Sequence, residues 1–356
     1  MNSQWMIYGA NGFTGKLIAK EAVKRGLNPI LAGRNKLEIE KLANDLNLPY
    51  KIFDLSTLST LRKNMSGLRL LLNCAGPFTK TAKPLLYACL ENRCHYLDIS
   101  GEISVFEFCY AQKVTALARN IIVCPGVAFD IVPTEAMAAK LKSLLPDADT
   151  LNIGFEGSMQ LSRGSAITLL EGISNPQLGM YMVRENHQLK HLKKPRKTQL
   201  AFTANDKPKT AFTITWADIA AAYYSTGIPN IAVYTPANIM TMATFQLATH
   251  CKPILRQKPI HNVISKAVGS LLQGPSQKII DSGEMHIVGE ATNPAGKKVQ
   301  VYLKTANGYK FSSLSAVAIA EHCLSMEGKS GYCTPSMLMD THFVETLEGS
   351  SLFKIC

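Results

Sequence analysis

No two cysteines of this chain stand two residues apart, so neither a zinc ribbon nor a CxxC redox pair can be read from it. The nine cysteines (Cys74, Cys89, Cys94, Cys109, Cys124, Cys251, Cys323, Cys333 and Cys356) are odd in number. Most lie in apolar runs, where a free thiol packs as a small hydrophobe. That pattern argues against a disulfide framework and a metal site, and predicts a reducing, cytoplasmic compartment. Internal repeats and low-complexity tracts are absent, which sets aside repeat architectures. The eight histidines show no convincing serine–histidine–aspartate or cysteine–histidine order, so a nucleophilic hydrolase is not indicated. A leader peptide is not expected either, because structured sequence begins almost at residue 5. Charge is sparse: 18% of residues are charged against 46% hydrophobic, which excludes a disordered chain.

What charge there is leans one way. The formal net charge is +12, which favours anionic partners such as a nucleotide, an acidic substrate or an acidic membrane face. The basic residues are spread out and not interleaved with aromatics in one stripe, so no nucleic-acid partner is expected. The one dense run is His-Gln-Leu-Lys-His-Leu-Lys-Lys-Pro-Arg-Lys at 187–197, most simply a solvated loop. Contact with an anionic membrane is the sharper alternative. Residues 219–251 carry no Asp, Glu, Lys or Arg, but Pro229, Asn230, Pro236 and Asn238 break the stretch too often for a bilayer span. It reads instead as a buried strand followed by a helix over 237–249, or as an apolar face for a lipid-like substrate.

At 356 residues the chain has room for about two domains. Up to residue 125, short apolar runs at 5–8, 28–32, 50–53, 68–73, 96–99 and 120–123 alternate with helical patterns at 14–25, 35–46 and 84–92. This predicts an α/β class with a Rossmann-type doubly wound parallel sheet. A helix over 133–145 follows. Beyond it, strands at 213–216, 231–234, 286–291 and 299–305, the last two joined by Asn293-Pro294-Ala295-Gly296, predict an inserted α+β second domain. Helices over 312–325 and after Pro335 are expected to pack back on the first domain. The division expected is therefore 1–130, 131–310 and 311–356.

The strongest chemical signal is Tyr8-Gly9-Ala10-Asn11-Gly12-Phe13-Thr14-Gly15, a glycine pattern that follows a strand and opens a helix. Gly9 permits the tight turn, Gly12 lets the backbone approach a pyrophosphate, and Gly15 lets the helix pack closely. With Asn11, Phe13 and Thr14 between them, these residues form the expected anion-binding loop at a helix start. The second strand ends in Gly33-Arg34, with Lys36 beside it and no carboxylate before Glu38. A guanidinium there suits a 2′-phosphate, which predicts NADP(H) over NAD(H). A surface arginine at a helix start is the plainer alternative. By position, Asp54 and Leu55 border the adenine, while Cys74, Ala75, Gly76 and Pro77 border the ribose and nicotinamide. A plain loop is the other reading of each.

Together with Ala32-Gly33-Arg34 and Asn73–Phe78, further motifs give the chain a family resemblance. They are His95-Tyr96-Leu97-Asp98-Ile99-Ser100-Gly101-Glu102, Pro125-Gly126-Val127-Ala128-Phe129-Asp130, Ser162-Arg163-Gly164-Ser165-Ala166, Trp216-Ala217-Asp218 with Ser225-Thr226-Gly227-Ile228-Pro229-Asn230, and Gly331-Tyr332-Cys333-Thr334-Pro335-Ser336. In this order they resemble the saccharopine dehydrogenase-like oxidoreductases, including the trans-acting enoyl reductase group. The resemblance implies a Rossmann domain, an inserted substrate domain and a pyridine nucleotide. Ala128 and Ala217 replace glycines usual in the pattern, and Tyr224 stands where relatives often carry histidine.

Hydride transfer to an imine, carbonyl or polarised alkene needs a proton donor near the reacting atom. Asp130, Asp98, Glu102, Asp218 and Tyr224 lie in the motifs, and Asp130 and Tyr224 are the catalytic candidates. Asp130 precedes a helix, where a carboxylate can instead serve as a cap; Tyr224 beside Tyr223 can be packing. The expected function is an NADP(H)-dependent oxidoreductase acting on a small or lipid-like substrate. The alternative is a non-catalytic NADPH-binding redox sensor or membrane-associated scaffold. A peripheral membrane contact and a homodimer stay open.

Overall fold

The computed structural model describes residues 4–157, 160, 162–164, 166–167, 170, 181–237, 257, 264, 274–326 and 328–356. The chain divides into two compact units, Met1–Val132 with Tyr309–Asp340 and Pro133–Gly308 with Thr341–Cys356.

In the first unit the apolar runs become strands β1 (Trp5–Tyr8), β2 (Ile30–Gly33), β3 (Tyr50–Ile52), β4 (Leu70–Asn73), β5 (His95–Asp98) and β6 (Ile122–Cys124). β1, β2 and β4 are buried along their whole length, as strands covered on both faces must be. Between them run α1 (Phe13–Lys24), α2 (Lys36–Leu46), α3 (Leu58–Met65), α4 (Phe78–Asn92), α5 (Ile103–Ala111) and α6 (Lys113–Arg119). A late strand, β15 (Gly331–Tyr332), completes a seven-stranded sheet in the order β15-β6-β5-β4-β1-β2-β3. Every pairing is parallel, with Met6 opposite both Ile30 and Leu71. The chain leaves β1 toward β3 and returns on the other side at β4. A crevice therefore opens beyond the carboxyl ends of β1 and β4, where doubly wound sheets bind ligands. Met6, Tyr8, Leu71, Leu85, Tyr96 and Val123 belong to one core cluster beneath it.

The proline in Lys83-Pro84 predicts a helix start at 84, but α4 begins at Phe78 and carries Pro84 inside it. The reason is not local: the Glu102 carboxylate, from the segment after β5, accepts the amides of Phe78 and Thr79 at 2.8 Å each. With its first turn held from outside, the helix accommodates a proline that by itself marks a beginning.

The second unit holds α7 (Val132–Leu144, all but its first residue) and a nine-stranded mixed sheet. Its strands are β7 (Thr150–Gly157), β8 (Met182–Glu185), β9 (Gln188–His191), β10 (Lys197–Leu200), β11 (Lys209–Ile214), β12 (Asn230–Pro236), β13 (Glu284–Thr292), β14 (Lys298–Ala306) and β16 (Lys354–Ile355). The order is β10-β11-β12-β7-β13-β14-β16, with β8 on β12 and β9 on β8. Only β7 and β12 pair in parallel among the described strands of this sheet. The predicted hairpin is β13–β14, closed by Gly296 donating to the Asn293 carbonyl at 2.9 Å. The unit also holds the short helices α8 (Asp218–Thr226) and α9 (Gln277–Ser282) and a 3₁₀ turn over Thr341–Thr346.

The C-terminal stretch divides. α10 (Gly308–Ser325), apart from its first residue, and α11 (Pro335–Leu338) lie in the first unit. β16 instead pairs antiparallel with β14, and residues 341–356 belong to the second unit, against the expectation that all of 311–356 packs on the first domain. Two residues of strand with no periodicity give a sequence reader nothing to assign. Residues 238–249 of the predicted helix, Ser165 and Cys251 lie outside the described residues. The other eight cysteines are free thiols, all buried except Cys356. Among the described residues no helix is long and apolar enough to cross a membrane.

Candidate functional site

The glycine loop sits at the mouth of the crevice because three backbone bonds tie it there. Gly9 and Ala10 donate to the Ala32 carbonyl at 2.8 and 3.2 Å, and Cys74 donates to the Tyr8 carbonyl at 2.7 Å. The ends of β1, β2 and β4 thus meet. Gly9 has φ +81°, and a β-carbon on it would come within 2.7 Å of the Ala75 nitrogen. Glycine is required on both counts, since a side chain would be strained by φ and would collide with backbone. Asn11, Gly12, Phe13 and Thr14 are partly exposed and Gly15 is buried.

Helix starts at this edge differ in what already occupies them. Asn35 caps α2, Thr57 caps α3, and Glu102 closes α4. α1 has neither a side-chain cap nor an acidic residue in its first turn. A helix start of this kind, with its leading amides uncapped by a side chain, is able to receive an anion, and the glycine loop leads the chain into it. Gly9 through Gly15, the loop singled out in the sequence, lead from β1 into this helix start.

At the next corner, Arg34 follows β2 and is exposed. Glu38 is engaged by Lys16 at 3.2 Å, and Lys36 reaches Glu40 at 3.9 Å, so both carboxylates of this helix start are paired with lysines. The Tyr8 hydroxyl donates to the Phe53 carbonyl at 3.3 Å. Burial pushes the Tyr8 phenol up to about 12; the charge of Arg34 opposes this and that of Asp54 adds to it, which places both charges at the Tyr8 corner. The Asp54 carboxyl is held below its ordinary range by hydrogen bonds from the Ser56 hydroxyl and amide. Leu55 packs against the core cluster.

After β4, the loop Cys74-Ala75-Gly76-Pro77 is fastened by Asn73. Its Oδ1 accepts the Ala75 amide at 3.0 Å and its Nδ2 donates to Thr81 Oγ1 at 3.1 Å, while Thr81 Oγ1 donates to the Ala75 carbonyl at 2.6 Å. Asn73 is fully buried. Burial drives the Cys74 thiol far up, so it stays protonated and is no nucleophile. Glu102 is committed to α4's amides, which assigns it to structure and not to proton transfer. Glu102→Ala is expected to lower unfolding free energy by about 0.5–2 kcal/mol, the usual cost of losing a cap, as read from denaturant melts.

Asp130 ends the Pro125–Asp130 loop and lies over Gly101, where a β-carbon would come within 3.0 Å of Oδ2. Burial pushes its carboxyl up to about 6. α10 braces the loop from far along the chain: Ser312 Oγ accepts the Phe129 amide at 3.1 Å, and Ser315 Oγ donates to the Val127 carbonyl at 3.0 Å. The Phe311 ring stands edge-on to Phe129, and Tyr309 stands edge-on to Phe13 at 5.0 Å. These α10 residues escape sequence reading, because a buried serine in an apolar helix carries no motif.

Tyr224 belongs to the second unit, in α8, with its ring 5.7 Å from that of Tyr223. The Arg184 guanidinium lies 3.9 Å over the Tyr223 ring. Asp218, the first residue of α8, is fully buried. In the basic run, Lys190 and Arg196 both pair with Glu185, so part of its charge is already met.

A parallel seven-stranded sheet with a glycine loop and an open helix start at its switch point defines a dinucleotide-binding domain of Rossmann type. Residues 5–122 match the family model described as the saccharopine dehydrogenase NADP-binding domain. The first unit is therefore similar to an NADP-binding domain of that kind over about a third of the chain. Similar curated proteins include a probable mitochondrial saccharopine dehydrogenase-like oxidoreductase of Arabidopsis thaliana, 33% identical over 147 residues, covering 36% of this chain and 32% of the relative. A trans-acting enoyl reductase of Mycobacterium ulcerans is 27% identical over 141 residues, covering 36% and 33%. The match thus spans about a third of these relatives' length. Among solved structures, the apo saccharopine dehydrogenase (L-Glu forming) of Saccharomyces cerevisiae superposes with a TM-score of 0.62 at 10% identity, over 99% of this chain and 100% of that one. At that identity the likeness is one of fold, and it extends to the second unit.

Proposed function

We propose that this protein is an NADP(H)-dependent oxidoreductase that transfers a hydride between the nicotinamide and an imine, carbonyl or enoyl group of a small or lipid-like substrate. The observation that carries the reading is the glycine loop, pressed against Ala75 and opening the one helix start, among α1 to α4, that no side chain occupies. When bound, NADPH supplies the hydride. The chain's own residues do the rest. The amides at the start of α1 receive the pyrophosphate, with Asn11, Gly12, Phe13 and Thr14 along it. Arg34 would hold the 2′-phosphate, with the nearby Glu38 and Glu40 engaged by lysines. Asp54 and Leu55 border the adenine, and Cys74, Ala75, Gly76 and Pro77 border the nicotinamide side.

Asp130 supplies or accepts the proton that accompanies the hydride. A carboxyl with its pKa near 6 is protonated for an appreciable fraction of the time at neutral pH, which an ordinary aspartate is not. Tyr224 is the second proton-donor candidate, as a phenol where relatives often carry histidine.

Arg34 provides the direct test of cofactor choice. Arg34→Ala is expected to raise the Kd for NADPH about 10–100-fold, the worth of a charge-assisted phosphate contact, and to leave that for NADH unchanged. Fluorescence titration of both nucleotides reads the difference. Equal wild-type affinities for NADPH and NADH would overturn the assignment.

A further inference from the structure

Asp98 is fully buried, and its carboxylate is hydrogen-bonded through both oxygens. Oδ1 accepts the amides of Ser100 at 3.0 Å and Gly126 at 2.9 Å, and Oδ2 accepts the Tyr96 hydroxyl at 2.9 Å. The Asp98 backbone carbonyl takes the Val127 amide at 2.7 Å. The Tyr96 hydroxyl in turn accepts from Asn73 Nδ2 at 3.3 Å, and Asn73 holds Ala75. A buried chain of polar groups thus runs from Ala75 through Asn73, Tyr96 and Asp98 to Gly126.

Taking a carboxylate out of water is costly, and a core that needed only to fill this volume would use an apolar residue. The partners show what the charge is for. All three segments it binds, at 74–77 by way of Tyr96, at 99–102 and at 125–130, stand at the carboxyl edge of the first sheet. The first borders the nicotinamide in the proposed function, the second includes Gly101 beneath the Asp130 carboxylate, and the third carries Asp130 itself. A fully satisfied buried network of this kind holds its members in one arrangement.

We infer that Asp98 is a positioning residue that, through Tyr96 and Asn73, sets the nicotinamide-side loop and the Asp130 loop in register with each other. This inference rests on the proposed NADP(H) reading of the site. It assigns Asp98 no contact with substrate or coenzyme, and it predicts that the adenine end of the site does not depend on the network.

The probes are NADPH and adenosine 2′,5′-bisphosphate, which carries the adenine and 2′-phosphate but no nicotinamide, each titrated calorimetrically. Tyr96→Phe deletes the link between Asp98 and Asn73 and leaves the Asp98 bonds to Ser100 and Gly126 in place. It is expected to weaken NADPH about tenfold, the value of a buried hydrogen-bond link, and to leave the bisphosphate within about twofold. Asp98→Asn is expected to weaken NADPH more strongly still and likewise to leave the bisphosphate within about twofold. If Asp98→Asn does not fold, Tyr96→Phe decides. Parallel weakening of both ligands in Tyr96→Phe, or no change in either, overturns the inference while leaving the cofactor reading intact. A wild-type protein that binds neither ligand overturns the cofactor reading, and this inference with it.

Discussion

Asp130→Asn is expected to be more stable than the wild type at pH 8 and slower in turnover by about 10²–10⁴-fold, the usual contribution of a positioned acid or base. Both effects come from one cause. Burial raises the Asp130 carboxyl to about 6, so the native protein binds that proton more tightly than the unfolded chain, whose aspartates titrate near 4. The stability this group contributes is fully present below about pH 4 and is lost as pH rises through about 6. A rise from about 4 to about 6 corresponds to about 3 kcal/mol, an upper bound because the residue keeps some exposed surface. An asparagine never ionises and escapes the loss, so the melting temperatures of variant and wild type converge by pH 4, separate between about pH 4 and 6 and stay apart above it. Asp98 is raised to about 6 by burial as well and shifts stability in the same direction, so some fall in stability between pH 5 and 8 persists in the variant. Thermal melts from pH 4 to 8 check the first effect. Oxidation of NADPH by any substrate the wild type turns over checks the second. A variant no more stable than wild type at pH 8 would mean that the charged Asp130 is compensated in place.

Gly9→Ala is the other substitution with a large expected effect. Its β-carbon would stand 2.7 Å from the Ala75 nitrogen and 2.8 Å from the Ala75 α-carbon, backbone atoms that cannot rotate away. Overpacking of that kind costs about 1–3 kcal/mol, and the left-handed conformation adds about 1–2 kcal/mol. Gly26 separates the two contributions: it has φ +74° and nothing within 4 Å of a β-carbon. Gly26→Ala is expected to show the conformational cost alone in urea unfolding, with NADPH affinity unchanged. Gly9→Ala is expected to lose more stability and to lose NADPH binding, because separating Gly9 from Ala75 opens the crevice on both sides. Equal destabilisation by the two substitutions would show that the close approach contributes nothing.

Much of the first sheet was legible because its strands are short, apolar and fully buried, a pattern a sequence displays directly. The 5–8 run became β1 residue for residue, and the strands after it shifted by two residues or fewer at either end. Helix boundaries were legible where the cap is local, as at Asn35, and illegible where it is not, as at Phe78 under Glu102. The glycine loop could be read because its chemistry depends on neighbours within eight residues. By contrast, Asp98 and Glu102 look from sequence like acids available for proton transfer, and both are bound to backbone amides.

The sequence by itself determined the class of the first unit, its glycine loop between β1 and α1 and the basic residue beyond β2, because periodicity and glycine spacing are local properties of a chain. Tertiary structure decided which carboxylates hold loops together, and its burial raises the pKa of two of them, Asp98 and Asp130. It also brought serines from α10 to brace the segment carrying Asp130 and sent residues 354–355 to the second sheet. These outcomes depend on which groups folding brings within hydrogen-bond reach and removes from water, and no spacing along the chain encodes that.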